Sequence, residues 1–176
     1  MTAKFSKAIP KVLKSEGGWV HDPDDPGGET YYGISRRFWP KWIGWKYVDK
    51  KLWKVAHAHV KPFYIGKFWL PLRCNYLSQP VAEFLFDSAV NLGKKPAVKL
   101  LQRAVNLGTN YKAELKVDGI IGPKTIKALN NTKERTVVNW AINIRIHDYF
   151  NKCVKKPVKY KYLKGWILRT LKYLVK

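Results

Sequence analysis

Acidic residues are scarce. Only 12 Asp and Glu stand against 34 Lys and Arg in 176 residues, a formal net charge of +22. So basic a chain is drawn to polyanions such as nucleic acid, anionic membrane surfaces, lipopolysaccharide or bacterial wall polymers. Most of the cations are Lys, a hydrated point charge, whereas base-specific reading favours Arg forks. A specific nucleic-acid partner is therefore not expected. Cysteine is scarce too. Cys74 and Cys153 are too few for a disulfide framework and lack metal-ligand spacing. They are expected as buried small hydrophobes, and neither a metal nor a cofactor is expected. Long apolar runs are absent: no stretch is long enough to span a membrane. The opening MTAKFSKAIPKVLKSEGG has no apolar core of the kind a signal peptide carries. The expectation is a chain made in the cytoplasm and let out by other means if its substrate lies outside.

What is present suits a folded domain. Hydrophobic residues make up 46%, with 8 Trp, 10 Tyr and 7 Phe. That is enough for a core, and the aromatic surplus is compatible with a sugar-binding cleft.

Phe5, Ile9, Val12 and Leu13 recur at helical spacing up to about Ser15, weakened by Pro10 and stopped by Gly17-Gly18. From His21 to Gly33 the chain is rich in Pro, Gly and Asp and reads as turns or a small hairpin. Asp49 can cap a helix carrying Leu52, Trp53, Val55 and Ala56. Ser78 and Pro80 open a helix with Val81, Phe84, Leu85, Ser88 and Leu92 inward, closed near Gly93. Further helices are expected from Pro96 to about Gly108, after Pro123, from Thr132 to about Asn151, and from Tyr160 to Val175. The expected fold is α+β and mostly helical, one domain over 1–176, with a half at 1–75 holding a small turn-rich lobe and a helical half at 76–176.

The acids that exist are clustered. Glu16, Asp22, Asp24, Asp25 and Glu29 fall within fourteen consecutive positions, and such crowding raises proton affinity at some members. Calcium binding needs alternating ligands that DPDDPGGE does not supply. Turn-making accounts for Asp24 and Asp25 but not for Glu16. Glycoside hydrolysis needs two carboxyl groups in different environments. A glutamate at a helix C-terminus faces the negative end of the helix dipole, which favours the protonated form that a general acid requires. Asp on a solvated turn stays ionised. Residue by residue, turn chemistry and hydrolysis remain evenly matched.

The run EGGWVHDPDDPGGETYYGIS, Glu16 to Ser35, resembles the signature of the glycoside hydrolase family 108 lysozymes, the N-acetylmuramidases of phage and prophage endolysins. The similarity continues through Ala56, Phe63-Tyr64, Trp69 and Pro71-Leu72-Arg73-Cys74. Leu85-Phe86-Asp87-Ser88-Ala89-Val90-Asn91, Gly93, Leu101-Gln102, Asp118-Gly119, Gly122-Pro123 and Thr125 resemble the family's peptidoglycan-associated second half. Arg145, Gly165-Trp166 and Arg169 resemble its end. The resemblance implies a lysozyme-like fold and hydrolysis of the β-1,4 bond between N-acetylmuramic acid and N-acetylglucosamine, with cell lysis as the outcome. Glu16 stands where the catalytic glutamate stands. In the wider phage lysozyme superfamily an Asp and a Thr follow at offsets that Asp25 and Thr30 occupy. Asp22, of the Asp-Pro pair, competes for the same role. Made without a signal peptide in a host cytoplasm, such an enzyme reaches the wall through a holin and acts as a monomer.

Other residues carry two readings. Asp87 and Asn91 lie one turn apart on a helix face; they can meet sugar N-acetyl groups or bridge segments. Trp19 and Tyr32 flank the acidic turn and can stack on sugar rings or staple the turn to the core. Arg145 or Arg169 can pair with Glu16. After Asp148 no acid remains and nine basic residues follow. There Leu163, Trp166, Ile167, Thr170, Leu171 and Leu174 form an apolar face, expected to pack on the domain, while the lysines can attract anionic outer-membrane lipid. The rival functions are a lytic transglycosylase using the same glutamate, a non-catalytic cationic protein of wall or membrane, and a nucleic-acid binder.

Overall fold

A computed structural model describes residues 2–21 and 28–175. The chain divides into two compact units, Phe5–Pro71 and Met1–Lys4 with Leu72–Lys176.

The Phe5–Pro71 unit opens with α1, Phe5–Glu16, whose buried stripe is Ala8, Ile9 and Val12. Pro10 lies inside this helix but on its exposed side, where its ring meets solvent. Gly17, at φ +74, ends the helix, a backbone state that costs glycine nothing. A three-stranded antiparallel sheet follows: β1 Trp19–Val20, β2 Thr30–Tyr31 and β3 Ile34–Ser35, in that order. Short helices α2 Trp45–Val48, α3 Trp53–Ala58 and α4 Val60–Tyr64 run into a π turn at Ile65–Trp69. Many aromatics are core here. Trp42 meets Trp45 edge-on at 5.2 Å and Trp39 meets Phe63 at 5.0 Å, the geometry that ring quadrupoles favour.

In the larger unit α5, Gln79–Leu92, is the central helix: every residue from Val81 to Ala89 is buried, because α6 and α8 both pack on it. Around it stand α6 Lys94–Gly108, α7 Pro123–Asn131, α8 Glu134–Lys155 and α9 Tyr160–Leu171. Cys74 and Cys153 are buried free thiols, and burial pushes the Cys74 thiol up. Among the described residues no helix is long and apolar enough to cross a membrane.

Three local expectations change. Asp49 caps no helix start; it is the C-cap of α2, and its carboxylate is taken by Arg36. Leu52, Trp53 and Val55 are exposed, and only Ala56 of that set is buried. On α9 the packed face is Thr170, fully buried, with Leu163, Trp166 and Ile167 half-buried, whereas Leu171 and Leu174 are exposed. Arg169 reaches Asp87, which sets the rotation of the helix, and a residue two positions on points about 200° away.

Candidate active site

Glu16 is the last residue of α1. It follows Val12 by four positions, so it continues the buried stripe and is half-buried. The β2–β3 connection reaches it. Tyr31 pairs with Ile34, leaving Tyr32 and Gly33 as a two-residue loop with φ +47 and +75. Positive φ at both central positions is the type I′ signature that matches strand twist. A Cβ on Gly33 would lie 2.8 Å from both Cβ and Cγ of Glu16, so glycine alone lets the turn close on this side chain.

Two hydrogen bonds hold the turn there. The Tyr32 N–H donates to the Gly18 carbonyl at 2.9 Å, two residues past Glu16. The Tyr64 hydroxyl donates to the Tyr32 carbonyl at 2.7 Å. Tyr32, left-handed despite its bulk, is thus over-determined, as a strained residue must be. Its ring is edge-on to Tyr31 at 4.9 Å and to His57 at 4.7 Å. Thr30 pairs with Val20 and Ser35 and is half-buried. Strand alternation puts its side chain opposite that of Tyr31, which is buried with its hydroxyl donating to the Trp53 carbonyl at 3.0 Å. The other partners proposed for Glu16, Asp22 and Asp25, lie outside the described residues.

Glu29, a member of the acidic island, is engaged from two sides. Its Oε1 accepts from Trp19 Nε1 at 2.9 Å, and its Oε2 lies 2.5 Å from Arg36 Nε. Arg36 forks onto Asp49 as well and stacks over Trp45 at 4.3 Å. The hydrogen bond from Arg36 holds the Asp49 carboxyl below the usual carboxylate range. Trp19, tethered by its indole N–H, remains 49% exposed, and Trp53, 40% exposed, lies 5.6 Å from it. These two indoles make one open aromatic surface. Sequence periodicity missed Trp53, because nothing in a short helix start marks a ring as outward.

In the larger unit, Asp87 and Asn91 share a face but not an environment. Asp87, expected either on a sugar or as a bridge, is fully buried. Its two oxygens accept from Arg145 Nη1 and Arg169 Nε, each at 2.8 Å, so it ties α5 to α8 and α9 and has no face for a sugar. The guanidiniums expected against Glu16 are the ones that bind Asp87. Asn91 is exposed. Its Oδ1 accepts from Tyr149 Oη at 2.7 Å and Arg145 Nη2 at 3.3 Å, which turns the amide NH₂ away from these donors. Arg145 also donates to Tyr149 Oη at 2.8 Å and Ser88 Oγ at 3.1 Å. Burial pushes the Tyr149 hydroxyl up, keeping it a donor.

No group of three or more His, Cys, Asp or Glu among the described residues could hold a metal. The arrangement offers a half-buried carboxyl at a helix end, closed on by a tight turn, and an aromatic surface in the same unit.

A family model described as glycosyl hydrolase 108 matches residues 9–93, and one described as a predicted peptidoglycan domain matches residues 96–171. Among solved structures, that of Brucella abortus SagA is similar, with 28% identity, a TM-score of 0.74, and coverage of 96% of this chain and 90% of that one. No curated protein matches. The fold is the mostly helical, lysozyme-like α+β fold. Residues 9–93 therefore match the glycosyl hydrolase 108 family and residues 96–171 a peptidoglycan domain, and the chain is a lysozyme-like glycoside hydrolase that acts on peptidoglycan.

Proposed function

We propose that the protein is a muramidase that hydrolyses the β-1,4 bond between N-acetylmuramic acid and N-acetylglucosamine, with Glu16 as general acid. The observation that carries this reading is the closure of the Tyr32–Gly33 turn on the Glu16 side chain. It holds one carboxyl in a fixed place, as proton transfer to a leaving oxygen requires. Glu16 gives its proton to the glycosidic oxygen as the bond to C1 breaks. Water adds its hydroxyl to C1, and its proton passes to a carboxylate, Asp25 or Asp22, with the Thr30 hydroxyl orienting the water. Trp19 and Tyr32 offer rings to the sugars, and the Asn91 amide NH₂ offers a donor to an N-acetyl carbonyl.

The biological setting we infer is a phage endolysin, a monomer made in the host cytoplasm, released through a holin and lysing the cell by cutting its wall. Mass spectrometry of digested peptidoglycan tests the chemistry. Hydrolysis leaves reducing muramic acid ends; an anhydro sugar would establish the transglycosylase. Lysis of outer-membrane-stripped cells by Glu16→Gln at the wild-type rate would defeat the enzymatic reading altogether.

A second activity is favoured by one observation. Leu168, Leu171 and Leu174 are 54%, 42% and 52% exposed in a segment with no acids. Apolar residues among lysines suit an anionic lipid surface. Leakage from vesicles of anionic lipid that falls in Lys164→Glu/Lys172→Glu supports this; no leakage from the intact protein ends it.

A further inference from the structure

The larger unit has an open cavity of about 990 Å³ between the 109–118 loop and α7, at the upper end of ligand-pocket size. Its walls are held in place by buried amides. Asn106, 6% exposed, accepts from the Leu115 N–H at 2.9 Å and donates to the Leu115 carbonyl at 2.8 Å, clamping the loop. Gln102, 1% exposed, donates to Asp118 Oδ1 at 2.9 Å, to the Ile120 carbonyl at 3.2 Å and to Thr125 Oγ1 at 3.3 Å, and accepts from the Gly119 N–H at 2.9 Å. That fixes the turn leading into α7. Asn110, Tyr111 and Glu114 hold left-handed φ of 48°, 62° and 44°, so the loop has a specific shape that this clamp maintains.

The lining is cationic but mixed. Lys112, Lys116, Lys124 and Lys127 contribute four ammonium groups, against Glu114 and Asp118. Asp118 is already engaged by Gln102 and by the Ile120 N–H at 2.8 Å. Ala113, Leu115 and Ala128 add carbon surface. A phosphate polymer would meet the lysines but be repelled by Glu114, and it would gain nothing from the carbon wall. A short peptide with several free carboxylates and one amino group satisfies all three: carboxylates on lysines, an ammonium on Glu114, methyl and methylene groups on the wall.

We propose that this cavity binds the acidic peptide stem of the polymer whose glycan the Phe5–Pro71 unit cuts. The inference rests on the peptidoglycan-hydrolase reading. A site for the peptide would let the enzyme grip the wall, at stems whose amino group is free, independently of the glycan.

The test is calorimetric titration of the full chain with a synthetic stem tetrapeptide, N-acetyl-alanyl-γ-glutamyl-diaminopimelyl-alanine, carrying no sugar and one free amino group. Saturable one-site binding is expected. It should weaken by about tenfold in Lys124→Glu/Lys127→Glu, and similarly when the peptide carboxylates are amidated. Lys152→Glu/Lys155→Glu, the same charge change on α8, should leave it intact. No binding, equal weakening in both variants, or equal binding of polyphosphate with the same lysine dependence would overturn the proposal. Unchanged melting of the variants separates lost contacts from lost fold. Because the ligand has no glycosidic bond, failure here leaves the Glu16 reading standing, and peptide binding with undiminished lysis by Glu16→Gln would remove only the cleavage reading.

Discussion

The side chain of Glu16 and the backbone of Gly33 occupy adjoining space: a methyl group on Gly33 would stand 2.8 Å from Glu16 Cβ and Cγ. Gly33 also sits at φ +75. Gly33→Ala therefore meets two obstacles. The backbone term alone costs about 1–2 kcal/mol, so the melting temperature should fall. Activity should fall further than stability predicts, because the methyl displaces the carboxyl. Turbidity clearing measured well below the melting range separates the two effects.

Trp19 does two things, and two variants divide them. Trp19→Phe removes the indole N–H that donates to Glu29 but keeps a ring. Trp19→Ala removes both. If the exposed ring stacks on sugar, Trp19→Ala should raise KM several-fold with little change in kcat, and Trp19→Phe should recover most of it. Equal defects in both would place the whole effect on the Glu29 tether.

Asp87 lies between two guanidiniums, with Asp87 and Arg145 fully buried. Asp87→Ala leaves those cations without their anion, a loss of about 3–5 kcal/mol by analogy with other broken buried pairs. The chain should unfold at markedly lower urea. Arg169→Lys, at the less buried end of the network, should cost less.

Asn91→Asp tests the outward amide. The aspartate still accepts from Tyr149 and Arg145, so the fold should hold. The NH₂ donor is lost, and a rise in KM for N-acetylated glycan with unchanged melting is expected. Unchanged kinetics would remove Asn91 from the substrate contacts.

Asp49 carries a pH signature. Its carboxyl is held below the usual range by Arg36. A carboxyl depressed in the folded state contributes stability above its unfolded value, and that contribution fades as pH falls through the lower folded value. The urea midpoint of the wild type should exceed that of Asp49→Asn near pH 6, and the gap should close below about pH 4. High salt should narrow it too, since the Asp49 side chain is 56% exposed.

Local chemistry was legible along the chain. Gly17 ends α1, placing Glu16 at a helix terminus, and Ser78 and Gly93 bracket α5, because caps and breakers act over a few residues. Asp87 and Asn91 could be put on one face from spacing alone. Their different fates could not: Asp87 is reached by Arg145 and Arg169, 58 and 82 residues away, and no periodicity encodes which helices meet. Glu29 belongs to the acidic island by position, yet its carboxylate is held by Arg36 and Trp19.

By itself, then, the sequence determined the helical segments, the basic surface, the single acidic island and the family motif around Glu16. All of these depend on residue type and short spacing. Tertiary structure decided what surrounds each acid: a glycine turn closed on Glu16, a guanidinium on Glu29, two guanidiniums on Asp87. The contacts that set the surroundings of each carboxyl come from distant parts of the chain, and they exist only once the helices and the sheet have packed.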